Sequence, residues 1–105
     1  MSDMPSTEGI DKVIHEPARL GIVATLAARG EMTFTELRQA LDMTDGNLSV
    51  HARVLETAGY LAVQKDFVGR KPQTTLGLTA QGRKAFQDYL TYLEKIVRSG
   101  RSGGR

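Results

Sequence analysis

The chain has 105 residues, 14 Lys and Arg against 12 Asp and Glu, and neither Cys nor Trp. Its length fits one domain, and 40% apolar with 25% charged residues suits a soluble globular protein rather than a disordered one. Without Cys there is no disulfide, thiolate metal site or Cys nucleophile, and two His alone make no usual zinc site.

Residues 1–9 are polar with Pro and Gly and read as a tail. They lack the basic start and apolar stretch of a secretory signal. No apolar run approaches the ~20 residues of a membrane span, so no membrane partner and a cytoplasmic location are expected. A helical pattern covers residues 10–28. Ile10, Val13 and Ile14 form a short apolar face, Pro17 interrupts, and Leu20, Val23 and Leu26 resume the period with Ile22 beside them. A break near Glu16, a second helix from Pro17 and a stop at Gly30 follow. Thr33 and Glu36 have capping-box spacing and Met32 and Leu37 staple spacing, which starts a short helix to about Leu41. Asp42 and Met43 make a tight turn. Thr44 then caps a third helix to about Ala58, with Leu48, Ala52 and Leu55 inward and Val54 to one side.

After Gly59 the period changes to two. Residues 60–64 and 73–78 suit strands, and residues 65–72, with Gly69 and Pro72, suit an extended basic turn. Thr79 caps a last helix over residues 80–97. Its stripe of Phe86, Tyr89, Leu90, Leu93, Ile96 and Val97 exceeds what a small three-helix body absorbs. A homodimer interface is therefore expected there, joined by Ile10, Val13 and Ile14. Residues 99–105 are Gly, Ser and Arg only, and read as a flexible tail after a domain of residues 10–98.

The net charge of +2 hides an asymmetry. Residues 1–69 hold six basic and ten acidic side chains, while residues 70–105 hold eight and two. Such a split is a prior for contact with a polyanion. The fold class expected is α+β, mainly α: a three-helix body with a helix-turn-helix, a two-stranded hairpin and a long C-terminal helix. Within it, TDGNLSVHARVLETAGYLAVQKDFVGRKPQTTLGLTAQGRKAF resembles winged-helix transcriptional regulators of the MarR and ArsR type. HEPARLGIVATLA looks like their first helix. The resemblance covers about residues 10–97.

The resemblance implies that the helix over residues 44–58 enters the major groove of double-stranded DNA and that a wing over residues 65–73 follows backbone or minor groove. The face opposite Leu48, Ala52 and Leu55 offers Thr44, Asn47, Ser49, Val50, His51 and Arg53. Asn47 suits adenine, Arg53 guanine or phosphate, and Val50 a thymine methyl. Asp45 is a favourable first-turn charge that phosphate repels. Lys65, Arg70 and Lys71 of the wing, with Arg83 and Lys84 of the last helix, would supply phosphate attraction. Arg19 is read as serving the fold or backbone contacts. No catalytic constellation, cofactor motif, metal cluster or legible effector is present, so the reading is a homodimeric repressor and not an enzyme. Two alternatives stand beside it: a protein–protein adaptor, and a ligand-responsive sensor with its site between the dimer helices.

Overall fold

The computed structural model describes the backbone of residues 9–103 and the side-chain surroundings of residues 9–100. The expected N-terminal tail, apart from Gly9, lies outside the described residues. The described residues form four helices and three strands in the order α1 (Pro17–Arg29), β1 (Met32–Thr33), α2 (Phe34–Leu41), α3 (Asp45–Thr57), β2 (Leu61–Val68), β3 (Lys71–Leu78) and α4 (Ala80–Gly103). The fold is mainly helical α+β, as the residue pattern implies.

The starts and stops are chemical. Glu16 caps α1 by accepting the Arg19 N–H at 2.8 Å. Gly30 ends it at φ 82°, where a side chain would be strained. Before α2, Thr33 Oγ1 accepts from the Glu36 N–H at 3.1 Å, and Glu36 Oε1 accepts from the Thr33 N–H at 2.9 Å, a complete capping box. Thr44 Oγ1 accepts the Asn47 N–H at 3.1 Å and starts α3.

Residues 10–16 depart from expectation, because they form turns and no helix. Asp11 accepts the N–H groups of Val13 and Ile14 at 2.9 and 3.1 Å, so the turn satisfies its own backbone. Glu16 is extended at φ −155°, ψ 131°, as the residue before a proline prefers. The apolar spacing there serves one turn pressed onto the core, with Ile14 fully buried.

A third strand joins the expected hairpin. Met32 and Thr33 pair with Leu76 and Thr75, so the sheet is antiparallel with order β1-β3-β2. The hairpin is also longer than the sequence suggests. Its register runs from Leu61↔Leu78 to Val68↔Lys71, leaving only Gly69 and Arg70 as the turn. Gly69 has φ 65°, and Asp42 is the only non-glycine with positive φ among the described residues. This is the pattern of a type II′ hairpin turn. Pro72 stands across from Phe67, next to the closing pair, where a proline's missing N–H would point away from β2. β1 does not reach that far along β3, so no ladder bond is lost.

The core lies between α1, α2, α3 and the sheet. Ile22, Val23 and Leu26 of α1 meet Leu37 of α2, Leu48 and Leu55 of α3, and Leu61 and Leu76 of the sheet. At about 1.5–3 kcal/mol per buried aliphatic side chain, this cluster is the main support of the fold. The joint between α3 and β2 is locked separately. Thr79 Oγ1 donates to the Gly59 carbonyl at 2.6 Å and accepts the Gly82 N–H at 2.9 Å. Gly82 packs so closely on the Tyr60 carbonyl that no Cβ fits. α4 continues to Gly103, past the end near Val97 that the apolar stripe suggested, and spans about 36 Å.

Candidate nucleic-acid interface

Leu48, Ala52 and Leu55 fix the rotation of α3 by burying one stripe. At 100° per residue the opposite ridge is Gly46, Val50, Arg53 and Thr57. Asn47, Ser49, Val50 and Arg53 are all exposed there or beside it, with Val50 at 61%. Thr44 is exposed too, but its hydroxyl is engaged by the cap. Thr57 and Val54 share this exposed surface and were absent from the expected set. The same helical spacing, carried one turn beyond Val50 and Arg53, leads to Val54 and Thr57.

His51 does not lie on the outward face, which corrects the sequence reading. It is half-buried against α1, where Arg19 Nη1 donates to its Nδ1 at 3.3 Å and Glu16 Oε1 lies 3.8 Å from the same nitrogen. Arg19 Nε also donates to the Val13 carbonyl at 2.6 Å. Arg19 therefore ties the arm of residues 10–16 to α3. The Arg19 amide holds the Glu16 carboxyl below its usual range, against partial burial and with help from the Arg19 charge. Asp45 pairs with Arg38 at 2.9 Å across the α2–α3 turn, which offsets the one acid in the first turn of α3.

The wing stands beside this ridge. Odd positions of β2 share the face that Leu61 and Val63 turn to the core, so Lys65 and Phe67 continue that face outward. A groove of about 600 Å³ separates it from α3, with Ser49, Arg53 and Glu56 on one wall and Lys65 and Thr74 on the other. Arg70 and Lys71 are exposed at the tip. Arg83 and Lys84 are exposed but sit at the base of the hairpin, where β3 ends. An eight-residue strand puts roughly 25 Å between base and tip. The structure therefore splits the expected cations into two sites rather than one. Lys84 is further committed to Asp88 at 3.0 Å.

The expected dimer stripe divides as well. Ile14 and Tyr89 are already buried within one chain, Tyr89 sharing a 2.8 Å hydrogen bond with His15. Val13 and Phe86 pack at the edge of the core, and Ile10 is half-buried. Leu90 and Val97 are exposed by 44% and 50%, with Leu93 and Ile96 half-exposed between them. Among the described residues no group of acids and His is arranged to hold a metal, and no helix is long and apolar enough to cross a membrane.

The model of a winged helix DNA-binding domain matches residues 18–97, from α1 through most of α4. The chain belongs to the winged helix DNA-binding domain family. An uncharacterized protein of Methanocaldococcus jannaschii is 32% identical to this winged helix over 79 residues, which is 75% of this chain and 86% of that one. A transcriptional regulator homologue from Pyrococcus horikoshii superposes with a TM-score of 0.77 at 31% identity, covering 82% of this chain and 85% of its own. A MarR-like transcriptional regulator from Thermotoga maritima shares the fold at a TM-score of 0.65 and 24% identity, over 95% of this chain and 69% of the other.

Proposed function

We propose that this winged helix is a homodimeric, sequence-specific repressor that acts by occupying promoter DNA. One observation carries the reading: the exposed ridge of α3 and the cationic wing flank a single groove, with Arg53 and Lys65 on its opposite walls. A duplex seated there meets Asn47, Ser49, Val50 and Arg53 in its major groove and the wing on its backbone or minor groove. Asn47 is suited to adenine, Arg53 to guanine or a phosphate, and Val50 to a thymine methyl. Arg70 and Lys71 add charge without sequence preference.

Dimerisation through Leu90, Leu93, Ile96 and Val97 would place two recognition helices on one side of the duplex. Half-sites about 34–36 Å apart would follow. Selection of bound sequences from a random duplex pool tests the whole reading. A palindrome with that spacing is expected. Retention of no duplex even at low salt would remove DNA from the mechanism and favour a protein adaptor. Leu93→Glu should sediment as a monomer. A variant that stays dimeric would relocate the interface.

A further inference from the structure

Phe67 is the most exposed large apolar side chain of the described residues, at 72%. It stands on β2 directly across from Pro72, one pair from the Gly69–Arg70 turn. Nothing in the body covers it. Counted from Val63, the last β2 residue packed on the core, four residues of strand carry it about 13 Å outward. Its position is nonetheless ordered, because the β2–β3 ladder is continuous to Val68↔Lys71.

An exposed aromatic on a loose loop invites no conclusion. Phe67 differs in three respects. It shares its strand face with Lys65, on the side where the groove to α3 opens. Exposed Arg70 lies in the turn beside it, while Asp66, the one acid of the wing, alternates to the opposite face, where the Lys71 cation accompanies it. Its neighbour Pro72 is also apolar, so the tip presents a stiff two-residue wedge with Lys65 on the same face and Arg70 in the turn. This charge pattern fits a polyanion and not an apolar protein surface.

We propose that Phe67, backed by Pro72, is a wedge that enters the minor groove of bound duplex and partly unstacks a base step. The inference rests on the DNA-binding reading above and assigns the wing a role beyond charge. Apolar wedges of this kind untwist and kink the duplex, and flexible pyrimidine–purine steps yield most easily. The wing would then read deformability, a selectivity that no base contact of α3 supplies.

The test is closure of a nicked plasmid by ligase in the presence of the full chain, followed by removal of protein and separation of topoisomers. Bound protein is measured separately by retention at low salt, so comparisons are made at equal occupancy. Wild type should leave the plasmid underwound. Phe67→Ala should lose more than half of that change, and Phe67→Leu, which keeps an apolar wedge, should retain it. At so exposed a position the substitution leaves the core untouched, and circular dichroism checks that the fold is intact. Unwinding by Phe67→Ala equal to wild type overturns the wedge and leaves DNA binding intact. So does a Phe67→Ala variant that reaches no occupancy at all, since the ring is then a plain binding contact. No plasmid retention by wild type overturns the DNA reading itself, and the wedge with it.

Discussion

α3 and the wing face the same groove but are built in opposite ways. α3 is held by three buried side chains, carries one strong cation on its exposed ridge, Arg53, and has its first-turn acid paired with Arg38. The wing buries almost nothing beyond Val63 and carries Lys65, Arg70 and Lys71 against Asp66. Orientation is therefore concentrated in the helix and charge in the hairpin. A chain with a net charge of only +2 can attract a polyanion this way, because the attraction is local to an edge and not spread over an acidic body.

The sharpest way to break the comparison is to loosen the helix alone. Leu55 is fully buried at the C-terminal end of the α3 stripe. Leu55→Ala should cost about 2–5 kcal/mol in urea unfolding, a large share of the stability of so small a domain. Val68→Ala, a comparable truncation on the exposed wing, should cost less than about 0.5 kcal/mol. Equal losses would mean that the wing is part of the core.

The division of roles is tested next. If Arg53 reads a base, Arg53→Ala should cost about 1–3 kcal/mol of binding and relax preference at one position, with little change in salt dependence. Replacing Arg70 and Lys71 together by Ala should weaken binding to every duplex alike and lower the salt slope by about 2. A reversed pattern, with sequence preference lost through the wing, would point to readout by shape at the tip.

Much of this contrast is legible in the residues, and the gaps have physical causes. The capping box at Thr33 and the cap at Thr44 are local chemistry, so the helix-turn-helix follows from a few neighbouring positions. β1 is two residues that mean nothing until β3, more than forty positions later, pairs with them. Pro72 looks like a turn residue, yet it fits a strand wherever its missing N–H faces solvent. His51 falls near the edge of the buried stripe, and only the position of Arg19 and Glu16 on α1 decides which way it leans. Ile14 and Tyr89 resemble interface residues because their partners, each other's segments, lie more than seventy positions apart. Local signals decide where elements begin; non-local pairing decides which surface each residue finally shares.

A further, modest effect concerns the joint between the two regions. Tyr60 follows Gly59 directly, between α3 and β2, and its hydroxyl donates to Asp11 at 2.6 Å. That bond secures the arm of residues 10–16 to the joint. The hydrogen bond to Asp11, with burial and the Asp11 charge adding to it, pushes the phenol from 10.0 up to about 12. The folded state thus prefers the neutral phenol. Its contribution is complete below pH 10 and is lost as pH rises from 10 to about 12, where the folded phenol ionises. Tyr60→Phe should cost about 1 kcal/mol at neutral pH, since one hydrogen bond at a half-exposed site is removed. The variant should also lack this alkaline step. The difference between the pH profiles of the two proteins isolates Tyr60. Identical profiles would show that the arm is held by Arg19, the His15–Tyr89 hydrogen bond and the Ile14 contact without Tyr60. The α3–wing joint would then owe its angle to Thr79 and Gly82, without help from the arm.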